Sequence, residues 1–164
     1  MLFRSIALVI VLISSCGGGS PESMAEDYVD ALYGGSGKDI WYAVNMDKYL
    51  DLAVESGMLD EDDADDYKDD TIESYDQLCE YYQDRCEEAY GRDWSYEIEV
   101  TKVKDLKNSD LRSFENMING DDSDFEVTEG VAVTVKVTFT GNKDDGFEKF
   151  TFEYYKVDGE WIKG

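Results

Sequence analysis

The chain contains no histidine among its 164 residues. That absence excludes Ser-His-Asp and Cys-His nucleophile activation, and it excludes zinc or copper held by imidazole. Proline occurs once, at Pro21. Basic residues are scarce: 15 Lys and Arg stand against 39 Asp and Glu, for a net charge of −24. Such a surface repels nucleic acid and anionic lipid headgroups, so neither is an expected direct partner. It also keeps a protein soluble beside a membrane. Cysteines number three: Cys16, Cys79 and Cys86. Long apolar runs are missing too. The stretch Ile6 to Ile13 is well short of the roughly 20 residues that span a bilayer. What is present is 42% apolar residues, enough to build a core. Residues 16–164 suit a single domain.

The first 15 residues read MLFRSIALVIVLISS, with Arg4 ahead of the apolar stretch. This is the pattern of a secretory signal. Ile13-Ser14-Ser15-Cys16 then resembles the lipobox of bacterial lipoproteins: a branched apolar residue, two small ones, and cysteine. The resemblance implies cleavage before Cys16 and a diacylglyceryl thioether on its sulfur. It places the mature protein outside the cytoplasm, on a cell-surface or periplasmic membrane face. Gly17-Gly18-Gly19-Ser20 follows as a flexible tether.

Ser20-Pro21-Glu22 predicts a helix start: a capping serine, proline at the first helical position, and an acid in the first turn. Met24, Ala25, Tyr28, Val29 and Leu32 recur at helical spacing up to Gly34-Gly35. Asp39 is the expected cap of a second helical region, broken near Asn45 and Gly57. Asp60 is the expected cap of a long third helix ending at Gly91. Its first turns are acidic, which suits the positive end of the helix dipole. Its apolar stripe is Tyr75, Cys79, Tyr82, Cys86 and Ala89. The period then changes to two. Tyr96, Ile98 and Val100 alternate with polar residues, and Val103 and Leu106 slip out of phase, which predicts a bulge. Asn108 to Asn119 reads as a short helix with Leu111, Phe114, Met117 and Ile118 on one side. Val131 to Thr140 is the clearest strand. Gly141 to Gly146 reads as a hairpin loop, Phe147 to Val157 as the return strand, and Asp158-Gly159 as a tight turn into a last strand at Trp161-Ile162.

Helices and strands are segregated along the chain, which predicts an α+β fold. The order of elements, and the ending Tyr154-Tyr155-Lys156-Val157-Asp158-Gly159-Glu160-Trp161-Ile162, resemble the nuclear transport factor 2-like (cystatin-like) fold. More narrowly, the chain is similar to bacterial lipoproteins carrying domain of unknown function 4878. Over residues 21–164 the resemblance implies a curved antiparallel sheet wrapped around helices to make a cone with a pocket. It also implies that enzymes occur on this fold. Ketosteroid isomerase-like and polyketide cyclase-like relatives use an Asp or His base and a tyrosine oxyanion donor inside the cone. Tyr28, Trp41, Tyr75, Tyr82, Tyr96 and Tyr154 are the residues that could line such a pocket.

Two constellations invite chemistry and are read more plainly. Cys79 and Cys86 lie seven apart on a predicted helix, about 10.5 Å along its axis. A disulfide needs Cα atoms within about 7 Å, so the pair is expected buried and reduced. The acidic run Asp60 to Asp70 lacks the EF-hand pattern, with Asp65 where glycine belongs and Thr71 where glutamate belongs. Asn119 to Gly130 fails in the same way at Asp124 and Gly130. No metal, cofactor or catalytic residue is assigned. The expectation is a lipoprotein held to the membrane through Cys16. It binds a small apolar ligand or an envelope protein rather than transforming a substrate. The alternatives are a pocket enzyme of the isomerase or cyclase type, and a structural subunit that dimerises through its sheet.

Overall fold

The computed structural model describes residues 19–119 and 123–164. Helix α1 is Pro21–Gly34. Ser20 caps it from an extended conformation, its Oγ accepting from the Ser23 N–H at 3.3 Å. Pro21 occupies the first turn, where its missing N–H costs nothing. Helix α2 is Gly37–Ala43. Its cap is Ser36, not Asp39 as the sequence led us to expect. Asp39 sits three residues in and reaches back, accepting from the Ser36 N–H at 2.9 Å and hydroxyl at 2.7 Å. The acid three residues in thus caps the helix start, as the acid of a capping box does. The predicted break falls at Asn45, whose φ of 54° puts it in the left-handed region that asparagine tolerates. Helix α3, Met46–Glu55, follows.

The long helix α4 spans Ala64–Tyr90, about 40 Å at 1.5 Å per residue. It begins later than expected. Asp60 opens a short 3-10 turn, Glu61–Asp63, and the α-helical bonding starts after it. Gly91, at φ 96°, ends the helix. The stripe is shorter than predicted: Cys79 and Cys86 are buried, but Ala89 is exposed and Tyr90 takes over the contact. Helix α5, Asn108–Ile118, buries Phe114 and Ile118. Met117 lies outside that core, 53% exposed.

Strands β1 (Ser95–Asp105), β2 (Val127–Thr140), β3 (Asp145–Val157) and β4 (Glu160–Lys163) form one antiparallel sheet in chain order. The sheet is open, and the fold is α+β. The predicted bulge is present. Val100 pairs with Val135 and Lys102 with Thr134, leaving Thr101 as the extra residue. Strand β2 begins four residues earlier than expected, and β3 two residues earlier. The β3–β4 turn places Asp158 at φ 51° and Gly159 at φ 88°, as a primed two-residue hairpin turn requires.

The pleat sends Val133, Val135, Val137 and Phe139 to one face, all fully buried against Val29 and Leu32 of α1 and Cys79 and Cys86 of α4. Burying each such side chain contributes about 1.5–3 kcal/mol. At one end of the other face, α5 covers the sheet. The Phe114 ring stacks on Tyr155 at 3.9 Å, and Ile118, Val127, Val157 and Ile162 complete a second cluster with Leu52 of α3.

Candidate functional site

A cleft of about 260 Å³ opens where α3, α4 and α5 meet the end of β4. Met46 and Tyr49 line it from α3, Tyr67 and Tyr75 from α4, and Phe114 and Met117 from α5. Lys163 and Gly164 close it, and no side-chain carboxylate lines it. Four other surface hollows are walled by acids, among them Glu87, Asp30, Glu148 and Glu115. In a chain with 39 acids, a cleft free of them is the departure from the pattern.

Lys163 reaches this place because β4 alternates. Ile162 turns into the α5 cluster, so Lys163 projects to the other face, directly opposite Tyr154 in the β3–β4 ladder. Its Nζ sits 5.4 Å from the Tyr28 ring centroid and 5.8 Å from that of Phe152. Both are within cation–π range. The Nζ donates to an oxygen of Gly164, the last residue of the sequence, at 3.5 Å, the outer limit for such a bond. No side-chain carboxylate pairs with it. Burial pulls its ammonium below the usual lysine range.

The structure brings some of the sequence-derived aromatics to this place and not others. Tyr75 lines the cleft. Tyr28 lies under Lys163, packs edge-on against Phe152 at 5.0 Å, and has its phenol pushed up to about 12 by burial and by Tyr75. Tyr154 is fully buried on the same face, and its hydroxyl has no partner among the described residues. Burial raises that phenol also. The other three lie elsewhere. Trp41 is fully buried, its Nε1 donating to Asp47 at 2.9 Å while Lys68 Nζ lies 5.0 Å from its ring. Tyr82 packs edge-on against Tyr33 at 5.6 Å. The Tyr96 hydroxyl donates to Asp30 at 2.8 Å beside α1. Tyr49, Tyr67, Phe114, Met117 and Lys163 were not among the pocket residues read from the sequence. Only the register of β4 and the docking of α5 bring them together.

A tyrosine facing an acid, the arrangement an isomerase-type site would use, occurs at Tyr33. Its hydroxyl donates to Glu148 Oε2 at 3.0 Å, with Arg85 Nη2 4.0 Å from the same carboxylate. Burial and Glu148 drive the Tyr33 phenol far up. Cys86 lines the same hollow, and burial pushes its thiol up to about 11. A thiol held protonated near neutral pH is a poor nucleophile. Cys79 and Cys86 are free and buried, and the Cys79 thiol donates to the Ala31 carbonyl at 3.3 Å.

The sheet face away from α1 and α4 is polar beyond the α5 contact. Thr134 and Thr151 hydroxyls meet across β2 and β3 at 3.0 Å. Phe147, 62% exposed, is flanked by Lys136 and Lys149 at 5.5 and 6.0 Å. Among the described residues no Cys, Asp and Glu cluster is arranged to hold a metal, and no helix is long and apolar enough to cross a membrane. The expected signal segment and Cys16 lie outside the described residues. No family model, curated protein or solved structure matches the chain.

Proposed function

We propose that this protein is an extracytoplasmic lipoprotein, held to a bacterial membrane by lipid on Cys16, whose single domain binds a small apolar ligand without transforming it. The observation that carries the binding role is the cleft of Tyr49, Tyr67, Tyr75, Phe114 and Met117, which stays free of acidic side chains on so acidic a chain. Ligand sites are mostly apolar hollows with few polar groups, commonly about 300–1,000 Å³. A cleft of about 260 Å³ therefore suits a small ligand. Helices α1 and α4 on one face of an antiparallel meander, with α5 at one end of the other, are compatible with the nuclear transport factor 2-like cone, as in the lipoproteins the sequence resembles. The lipobox supports the anchor.

Two experiments test the reading. Cys16→Ala is expected to move the protein from the membrane fraction to the soluble one, and unchanged partitioning would remove the anchor. Native mass spectrometry of the protein taken from its own membranes is expected to find an apolar adduct. Met117→Glu places a charge at the exposed cleft rim and should lose that adduct. An adduct that survives the substitution lies elsewhere.

A further inference from the structure

We infer that two copies of this chain pair along the free edge of β1, antiparallel about a two-fold axis, with Glu97 and Glu99 of one copy opposite Lys104 and Lys102 of the other. This interface is independent of the cleft and of what the cleft binds.

Strand β1 is 11 residues long and lies at one edge of the sheet, whereas β4 at the other edge has only 4. Its main-chain groups bond to β2 on one side, and those facing outward have no main-chain partner among the described residues. Such an edge is a template for another strand. Every residue from Thr101 to Asp105 is exposed, the apolar Val103 to 43%. Glu97, Glu99, Lys102 and Lys104 share one face, because they stand opposite Thr138, Lys136, Thr134 and Ala132, which are alternate residues of β2. None of the four makes an ion pair among the described residues, although Lys136 stands opposite Glu99.

Charges and a bulge on an edge strand ordinarily discourage pairing. Here the order of signs removes that effect in one register. The two acids come first and the two lysines second, so an antiparallel copy meets opposite charges. Glu97 faces Lys104, Glu99 faces Lys102, and the two-fold axis repeats both pairs. A parallel copy would set acid beside acid and lysine beside lysine. The bulge makes the register possible. In an unbroken strand Glu97 and Lys104, an odd number of residues apart, point to opposite faces. The extra residue, Thr101, brings Lys102 and Lys104 onto the face of Glu97 and Glu99. The two bulges meet at the axis, Val100 against Thr101, so the paired strands stay equal in length. The same register sets Ile98 against Val103 on the other face. A patch that complements itself makes the isologous contact of a closed dimer. The net charge of −24 opposes association at long range, and the Tyr96–Asp30 hydrogen bond holds acidic α1 over the same edge. Salt at about 0.15 M screens that repulsion beyond about 8 Å, while directly opposed side chains lie closer. One strand pair is a small interface, so a dissociation constant on the order of 10 µM is expected.

The test is sedimentation velocity of the full chain in non-ionic detergent, over about 1–200 µM protein in about 0.15 M sodium chloride. A monomer–dimer equilibrium is expected. Glu97→Lys with Glu99→Lys lines the edge with lysines, and Lys102→Glu with Lys104→Glu lines it with acids. Each double variant alone should dimerise about a hundredfold or more weakly, because every opposed pair becomes a like-charge pair. Mixed together, the two should form a heterodimer as tight as the parent dimer, since lysine then faces glutamate at every pair. The lysine variant is also less acidic than the parent, so general repulsion would tighten its association where the edge pairing weakens it. Circular dichroism shows whether each variant is folded. A chain that stays monomeric at the highest concentration would overturn the inference. So would a dimer that both variants keep, which places the contact on another surface, or variants that dissociate and do not recombine on mixing.

Discussion

Lys163 makes its electrostatic position measurable in solution. Burial lowers its folded-state pKa below the unfolded value of 10.5. Between those two values the unfolded chain holds more protons than the folded one, so stability rises with pH across that window. Below the folded pKa the cost of the buried charge is present in full. Titrating the Lys163 Nζ by NMR should give a value below 10.5. A value at or above 10.5 would show that the ammonium keeps its hydration in the folded protein. Tyr154 allows a second measurement. Its hydroxyl is buried without a partner among the described residues, and such a group costs about 1–3 kcal/mol. Tyr154→Phe should therefore leave stability unchanged or raise it by about 1 kcal/mol in urea titrations. A loss of 2 kcal/mol or more, on the order of a broken buried network, would show that the hydroxyl is bonded in solution. Neither residue's role was legible from sequence. A lysine two places after a tryptophan reads as an exposed strand end until the β3–β4 register sets it opposite Tyr154.

At the scale of elements, local signals carried most of the fold. Ser20-Pro21 starts α1 and Gly91 stops α4, because caps and stops are chemistry of single residues. The bulge in β1 was legible because a period-two pattern cannot absorb an extra residue without a slip. The start of β2 was not. The reading from sequence begins the strand only at Val131, because a second bulge between Val127 and Glu129 breaks the alternation before it. Gly130 has a packing role. A Cβ there would run into the Leu111 and Leu106 side chains, so the glycine lets α5 lie against the sheet. That contact is between elements and leaves no periodic trace. It also builds the cleft, since α5 supplies Phe114 and Met117. Phe114→Ala removes the ring stacked on Tyr155 and should cost about 3 kcal/mol of global stability. Gly130→Ala should shift α5. Its amides should then exchange with solvent faster than those of α1, and equal protection of the two helices would show that the sheet accommodates the methyl group.

For the whole molecule, charge sets the conditions under which the fold is most stable. A net charge of −24 opposes compaction at neutral pH, because like charges are brought together on folding. Salt screens surface charges within a Debye length, about 10 Å at 0.1 M. Raising sodium chloride from about 0.01 to 0.15 M should therefore raise the melting temperature, an effect that composition alone predicts. The pH dependence needs the structure. Burial first, and then Asp27 and Glu22, raise Glu26 above its ordinary 4.5. Burial and then Asp30 raise Asp27 above its ordinary 3.8. For a carboxyl raised in the folded state, the penalty is full above the folded pKa and is relieved as pH falls toward the unfolded value. Asp47 behaves in the opposite sense. Burial works against its ionisation, but hydrogen bonds from Lys68 and Trp41 outweigh it and hold the carboxyl below 3.8. Its stabilisation is present above 3.8 and is lost only as pH falls through the lower folded value. The two senses act in different windows. Stability at low salt should thus increase as pH falls through the raised folded values of Glu26 and Asp27 toward 4.5 and 3.8, then decline below 3.8 as Asp47 takes up its proton and Trp41 Nε1 loses a charged acceptor. Asp47→Asn should weaken that acid-side decline and leave the rise above it intact. A stability maximum that stays at neutral pH in both proteins would mean that the like-charge acids on α1 do not govern the acid response.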